Sequence, residues 1–380
     1  MVKIAVIGWY GTETIGDRAI FSGLLNLLSE VYKDIEIKLG ALYPTLTHRT
    51  VLEDYDFYCL SAQKTNLPIS IFDSTNVAEL KSAIKWADLL VMGGGPLMDI
   101  REMNMVDFAF KYAKKQNTKS AVLGCGVGPL TQSKYIKAML SIVAHSDLTI
   151  FRDDKSLNLY HQFRDVETSN CLASIDSALF TAELFKSLHK NDEKEEKVVV
   201  VNLREIDVHY SSHNATQNLF EVLKNLLQSV ANQHNVLLVP MHTFGIGGDD
   251  RYILNRLAKE INSENLQVQN IPLSLEDTMN VFFNAEFCIG MRFHSVLLQM
   301  ILNGKNYILD YTDPQKGKII NLLEQLKAVD FYKPRYYSLA NFTKSELFSI
   351  ENDIPSFVID KTDIYKFRNI YVAHLTQLKI

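Results

Sequence analysis

The feature that most restricts the fold is an alternation of short apolar runs with amphipathic stretches along nearly the whole chain. Residues 3–8, 36–42, 57–60, 88–92, 120–124 and 148–151 read as strands, with helical patterns between most of them. Runs that are apolar on both faces belong in a parallel sheet covered by helices on each side, which predicts a Rossmann-like domain over residues 1–185. A charged, weakly apolar stretch, residues 186–197, is the linker candidate. The pattern then restarts. Residues 198–203, 236–239, 268–271, 286–289 and 307–310 read as five more strands, separated by helical segments such as 217–233 and 251–261. They predict a second Rossmann-like domain over residues 198–330, followed by an aromatic-rich tail, 331–380, that ends in a helical pattern over 363–378.

A chain of 380 residues exceeds what one hydrophobic core usually organises, which agrees with two domains. The fold class expected is α/β, with two Rossmann-like domains facing across a cleft in a glycosyltransferase-B-like architecture. A formal net charge of −5 gives no global attraction to nucleic acid, so any anion site must be local. Cys59, Cys125, Cys171 and Cys288 are far apart and mostly inside apolar runs, which suggests buried free thiols in a reducing compartment. Residues 1–8 are too short and too soon interrupted by glycine for a signal peptide. No window approaches the roughly 20 apolar residues that span a bilayer, so the expected location is the cytoplasm.

The chemistry-bearing residues sit where strands end. Gly11 and Gly16 have the spacing of a phosphate-binding loop, but Asp17-Arg18 stands where Lys-Ser/Thr is required, and a carboxylate there would repel phosphate. Two readings remain for this turn. Its glycines let the backbone bend while Asp17 caps the helix, or Gly11, Asp17 and the helix amides face the cleft. Gly93-Gly94-Gly95 follows a buried strand, and three consecutive glycines are costly to order, so Gly94 and Gly95 are expected where backbone approaches a ligand or another strand closely. Gly124-x-Gly126-x-Gly128-Pro129 lacks the third glycine of a dinucleotide fingerprint at its required offset, which argues against a nicotinamide cofactor and makes Gly126 a cleft-lining candidate. Arg152 emerges beside Asp153 and Asp154, and either pairs with an acid such as Asp176 or faces the cleft.

In the second half, Arg204 and the segment Gly290-Met291-Arg292-Phe293-His294-Ser295 both lie at strand ends. Arginine presents a charged fork that fits carboxylate or phosphate at two points, and a helix N-terminus adds amides aimed at the same place. His294 can donate a proton near neutral pH, bind phosphate as a cation, or be satisfied by a backbone carbonyl. His209 and His213 have zinc-like spacing but no third ligand, so no metal is expected.

These motifs in this order resemble the polysaccharide pyruvyl transferase family. The resemblance runs from about residue 3 to residue 310, on Tyr10-Gly11, Gly16-Asp17, Gly93-Gly94-Gly95, Gly126 to Pro129, Arg152-Asp153, Ser156, Asp176, Pro240 and Arg292-Phe293-His294. It implies phosphoenolpyruvate as donor, without a further cofactor, and a pyruvylated glycan as product. By position, Arg292 and His294 would be catalytic, and Arg204, Arg292, Phe293, His294 and Ser295 would surround the donor. The N-terminal domain would take the acceptor: a sugar, a lipid-linked glycan or a nucleotide-sugar. A lipid-linked acceptor would bring the protein peripherally to a membrane. Arg18 replaces a usual acid, and Lys316 is spaced later than the common pattern. Two competing readings are a nucleotide-sugar glycosyltransferase of the same fold, which usually wants a carboxylate near the strand-to-helix turn, and an inactive glycan-binding protein of a polysaccharide assembly cluster.

Overall fold

Aliphatic and β-branched runs form the strands. In the order of the chain, β1 (Val2–Ile7), β2 (Ile35–Ala41), β3 (Ile69–Asp73), β4 (Leu89–Gly93), β5 (Pro96–Leu97), β6 (Lys119–Val127), β7 (Leu148–Phe151) and β8 (Cys171–Ala173) form the first sheet. Every pairing in it is parallel, in the order β3-β2-β1-β4-β6-β7-β8 with β5 beside β6. All of β4 is buried, because the sheet is sandwiched between helices. The helices Met103–Gln116 and Ser133–His145 cover one face, packing Phe110, Met139 and Ile142 with Met92 and Val122 of the strands.

The second sheet contains β9 (Val198–Asn202), β10 (Asn235–Leu238), β11 (Leu266–Val268), β12 (Cys288–Gly290), β13 (Asn306–Asp310) and β14 (Tyr336–Ser338). It too is parallel, in the order β11-β10-β9-β12-β13-β14. Each sheet therefore reverses its winding direction once, between β1 and β4 in the first and between β9 and β12 in the second. Loops diverge there and leave a crevice beyond the carboxyl ends of the strands. The expected pair of Rossmann-like domains is present.

This computed structural model describes all residues except 165–170, 190–197, 206–212, 247, 313–316, 340–349 and 351–352, and the side chains of 213–218. Most of the linker candidate, His209 of the zinc-like pair and Lys316 thus lie outside the described residues, as does the side chain of His213. The chain divides into two units. One comprises Met1–Glu13, Asp17–Thr181 and Asp360–Ile380, the other Thr14–Gly16 and Ala182–Ile359. The last helix, Lys361–Gln377, belongs to the first unit. Its Tyr371 hydroxyl donates to Ile175 O (2.6 Å), and its Phe367 carbonyl accepts from Ser174 Oγ (2.8 Å).

Residues 57–60, expected as a strand, instead lie in the helix Tyr55–Ser61. A four-residue apolar run does not distinguish the two states, and here tertiary contacts decide. Phe57, Tyr58 and Cys59 are buried while Leu60 is 47% exposed. Tyr58 packs edge-on against Phe21 (5.0 Å between centroids), and Ser22 and Ser61 share a hydrogen bond of 2.7 Å. The strand in this region is β3, after Pro68. The expected strand over 268–271 begins two residues earlier, as β11, which leaves Ile271 76% exposed. Among the described residues no helix is long and apolar enough to cross a membrane.

Candidate functional site

The crevice of the second sheet is where arginines concentrate. Gly290 pairs with Asn202 in the ladder, so Arg292 and Arg204 each lie two residues beyond matched positions, one on either side of the winding reversal. Buried Asn202 ties three strand ends together. Its Oδ1 accepts from Arg292 N (3.3 Å), and its Nδ2 donates to Val239 O (3.0 Å) beyond β10. Arg204 lies over the Tyr311 ring (5.0 Å to its centroid), and Nη1 donates to the Tyr311 hydroxyl (3.0 Å). Its Nε donates to Glu205 O (3.1 Å). Tyr311 directly follows β13, so a third strand end contributes.

Arg292 is the N-cap of the helix Phe293–Leu302, which starts with no side-chain cap on its amides. Such a start favours an anion, since the first N–H groups have no partner within the helix and the dipole is positive there. The guanidinium of Arg292 is already oriented. Nε donates to Asp250 Oδ2 (2.8 Å) and Oδ1 (3.1 Å), and Nη2 donates to Oδ1 (2.6 Å). Asp250 in turn accepts the backbone N–H groups of Met241 and His242, both at 3.1 Å. The neighbouring Asp249 caps the helix Asp250–Ile261 and accepts from Phe244 N (2.9 Å) and Arg251 Nη2 (2.6 Å). Burial would raise its pKa, but these hydrogen bonds and the Arg251 charge hold it below the usual value.

His294 occupies the first turn of the helix and is half-buried, with Phe293 edge-on at 5.1 Å. Ser295 is fully buried, and its hydroxyl accepts from Gln299 Nε2 (2.8 Å), so its side chain packs inward. The second unit also includes Thr14–Gly16. Thr14 bridges to His242, and Ile15 N donates to Met241 O (3.0 Å). A Cβ built on Gly16 would lie 2.0 Å from His294 Nδ1, so the imidazole fills the space that a side chain there would take.

In the first unit the other candidates also come together at the carboxyl ends of strands. Gly94 and Gly95 have φ of +92° and +69°, and side chains of the protein pack closely on both. A Cβ on Gly95 would meet Trp9 Cδ1 at 2.1 Å, one on Gly94 would meet Ile20 at 2.7 Å, and the Tyr10 hydroxyl donates to Gly93 O (2.8 Å). The close approach expected of these glycines is therefore made by side chains of the first loop and helix. Gly11 packs in the same way on Tyr43 and Thr47. Gly126 N donates to Gly95 O (3.2 Å), and the absent Cβ of Gly126 makes room for the Arg152 guanidinium. Arg152 is buried between Asp153 (3.4 Å) and Asp176 (3.7 Å), which is the first of the two arrangements the sequence left open. Asp17 accepts from Thr12 Oγ1 (3.3 Å) in the first turn of the helix Ile15–Val31. Burial, then the charges of Asp17, Cys125 and Asp176, push the Tyr10 hydroxyl pKa well up. Burial also pushes the Cys125 thiol up to about 12.

Asp250, the bonds made by Asn202 and Tyr311, and the fit of Gly16 to His294 do not follow from the sequence. Asp249-Asp250 reads only as a helix start, and nothing local marks a pairing with an arginine 42 residues away.

Comparison with known structures agrees with this fold. The UDP-GlcNAc 2-epimerase from Neisseria meningitidis bound to UDP-GlcNAc superposes with a TM-score of 0.57 at 12% identity, covering 99% of this chain and 100% of that one. The UDP-GlcNAc 2-epimerase from Methanocaldococcus jannaschii gives 0.53 at 12% identity, covering 97% and 92%. The S. aureus MnaA-UDP co-structure gives 0.52 at 12% identity, covering 89% and 90%. At such identities the likeness shows a glycosyltransferase-B-like fold and nothing finer. No curated protein matches the chain in sequence. The sequence profile described as Polysaccharide pyruvyl transferase matches residues 15–314. That span holds Gly16, Arg152, Arg204, Asp250, Arg292 and His294, and on it the chain belongs to the polysaccharide pyruvyl transferase family and is a transferase.

Proposed function

We propose that this transferase moves the pyruvyl unit of phosphoenolpyruvate onto sugar hydroxyls of a polysaccharide or its precursor. The observation that carries the reading is the placement of Arg204 and Arg292, each two residues beyond the matched pair Asn202 and Gly290 on either side of the winding reversal, with His294 in the first turn of the helix that Arg292 caps. Phosphoenolpyruvate carries a carboxylate and a phosphate, and two guanidinium groups with a run of helix amides match both. In the proposed reaction a proton adds to the donor methylene and a sugar oxygen bonds to C2 while its hydroxyl proton is released. The C2–O bond to phosphate then breaks, and a second hydroxyl closes a ketal as it loses its own proton. His294 either supplies the methylene proton or neutralises the departing phosphate, and Arg204 and Arg292 offset the negative charge that develops. No metal or further cofactor enters this scheme.

A nucleotide-sugar donor usually wants a carboxylate open to the ribose hydroxyls. The turn has an acid nearby, Asp250, but both its oxygens are engaged by Arg292 and backbone amides. This favours the nucleotide-free donor. Phosphoenolpyruvate at about 100 times its dissociation constant should stabilise the binding unit by about 2.7 kcal/mol, several degrees in melting temperature. UDP and GDP should not replace it. Stabilisation by a nucleotide alone would overturn the reading, and phosphate release across a panel of lipid-linked and nucleotide-linked sugars would identify the acceptor.

A further inference from the structure

Asp250 has an arrangement that a simple structural ion pair does not require. Its carboxylate is 1% exposed, while the Arg292 side chain it holds is 18% exposed. The pairing uses one edge of the guanidinium, Nε and Nη2, at 2.6 to 3.1 Å. The carboxylate is itself fixed by two backbone N–H groups, and the Arg292 backbone is fixed separately by Asn202. Arg292 is thus restrained at both ends, with Nη1 outside the pairing. A buried carboxylate at this distance also cancels most of the arginine's charge, since Coulomb attraction is strongest where water is excluded.

We propose that Asp250 is the positioning residue of Arg292: it aims the guanidinium into the crevice and offsets its charge, so that the site binds a phosphate-bearing anion by direction and releases inorganic phosphate readily. This rests on the reading of the crevice as the donor site. An uncompensated pair of arginines at a helix start would hold the product as firmly as the donor, because both carry the same phosphate group. The acid lowers affinity for both while keeping the geometry.

Two substitutions separate the two effects, with the full chain and inorganic phosphate as the probe. Asp250→Asn removes the charge and the two-point hold. It should tighten phosphate binding measured by calorimetry by about five- to tenfold, and lower kcat in the pyruvyl-transfer assay at least tenfold. Asp250→Glu keeps the charge but shifts the carboxylate by one methylene, so phosphate affinity should stay within about twofold while kcat falls. A purely structural acid would instead lower the melting temperature and weaken phosphate binding in both variants. That result, or a wild-type protein that binds no phosphate, overturns the proposal. If Asp250→Asn does not fold, Asp250→Glu decides alone, and an unchanged kcat overturns it. Should phosphoenolpyruvate fail as a donor while Asp250→Asn still tightens phosphate, the donor reading fails and the charge-offsetting role of Asp250 stands.

Discussion

Gly16 shows how a residue without a side chain can take part in a site. Its backbone is ordinary helix, outside the glycines with positive φ, so conformation does not demand glycine there. In an unconstrained helix, alanine would be favoured by about 1 kcal/mol. Space explains the glycine instead, because a methyl group would lie 2.0 Å from His294 Nδ1. Gly16→Ala is therefore expected to lower kcat by about 10- to 100-fold by displacing the imidazole, the scale on which a misplaced proton donor or anion ligand acts. Steady-state kinetics beside a melting curve would test it, and unchanged kcat in a folded variant would show that the imidazole tolerates displacement. Arg292 and His294 were legible from sequence because a buried strand, a glycine and a helix start are adjacent in the chain. Asp250 and the fit of Gly16 to His294 were not, since each acts on a partner far away in sequence.

At the scale of elements, the Tyr55–Ser61 helix is held by charge as well as by apolar packing. Asp54, at its N-terminus, receives Arg18 Nε (2.5 Å) and Nη2 (2.6 Å) and the Tyr58 hydroxyl (3.1 Å), all buried. Burial works against the Arg18 charge, yet Asp54 more than offsets it and holds the guanidinium protonated. This explains the departure at position 18, since the arginine serves an ion pair inside the first unit. Asp54→Ala removes this two-point carboxylate from a guanidinium that stays buried, with Glu53 at 3.3 Å. It should cost about 3–5 kcal/mol, readable as a shift in urea midpoint, whereas a shift worth under 1 kcal/mol would mean that water or Glu53 replaces the acid. The long central strands were legible because burial on both faces makes them continuously apolar. The edge strands β8 and β14 have three residues each, too few for any periodicity to register.

At the scale of the whole molecule, the doubly wound order of each sheet followed from the repeated strand-helix pattern, but the destination of the tail did not. The Lys361–Gln377 helix is weakly amphipathic in sequence, and what assigns it to the first unit is a set of specific polar bonds. Tyr371 is fully buried, and its hydroxyl satisfies the Ile175 carbonyl next to Asp176. Tyr371→Phe leaves that carbonyl without its donor and should destabilise the first unit by about 1–3 kcal/mol, measurable by hydrogen exchange at the amides of β7 and β8. Exchange protection equal to wild type would mean that apolar packing alone secures the helix.

The return of the chain to its first unit also sets an order of assembly during translation. Residues 182–359 leave the ribosome before the helix that completes the first sheet's surroundings. Most of the first unit precedes them, yet Ile175 meets Tyr371 only after residues 182–359 have emerged. The unit bearing Arg292 and His294 thus emerges complete, with Thr14–Gly16 already synthesised, while the unit holding Ile175 still lacks its closing helix.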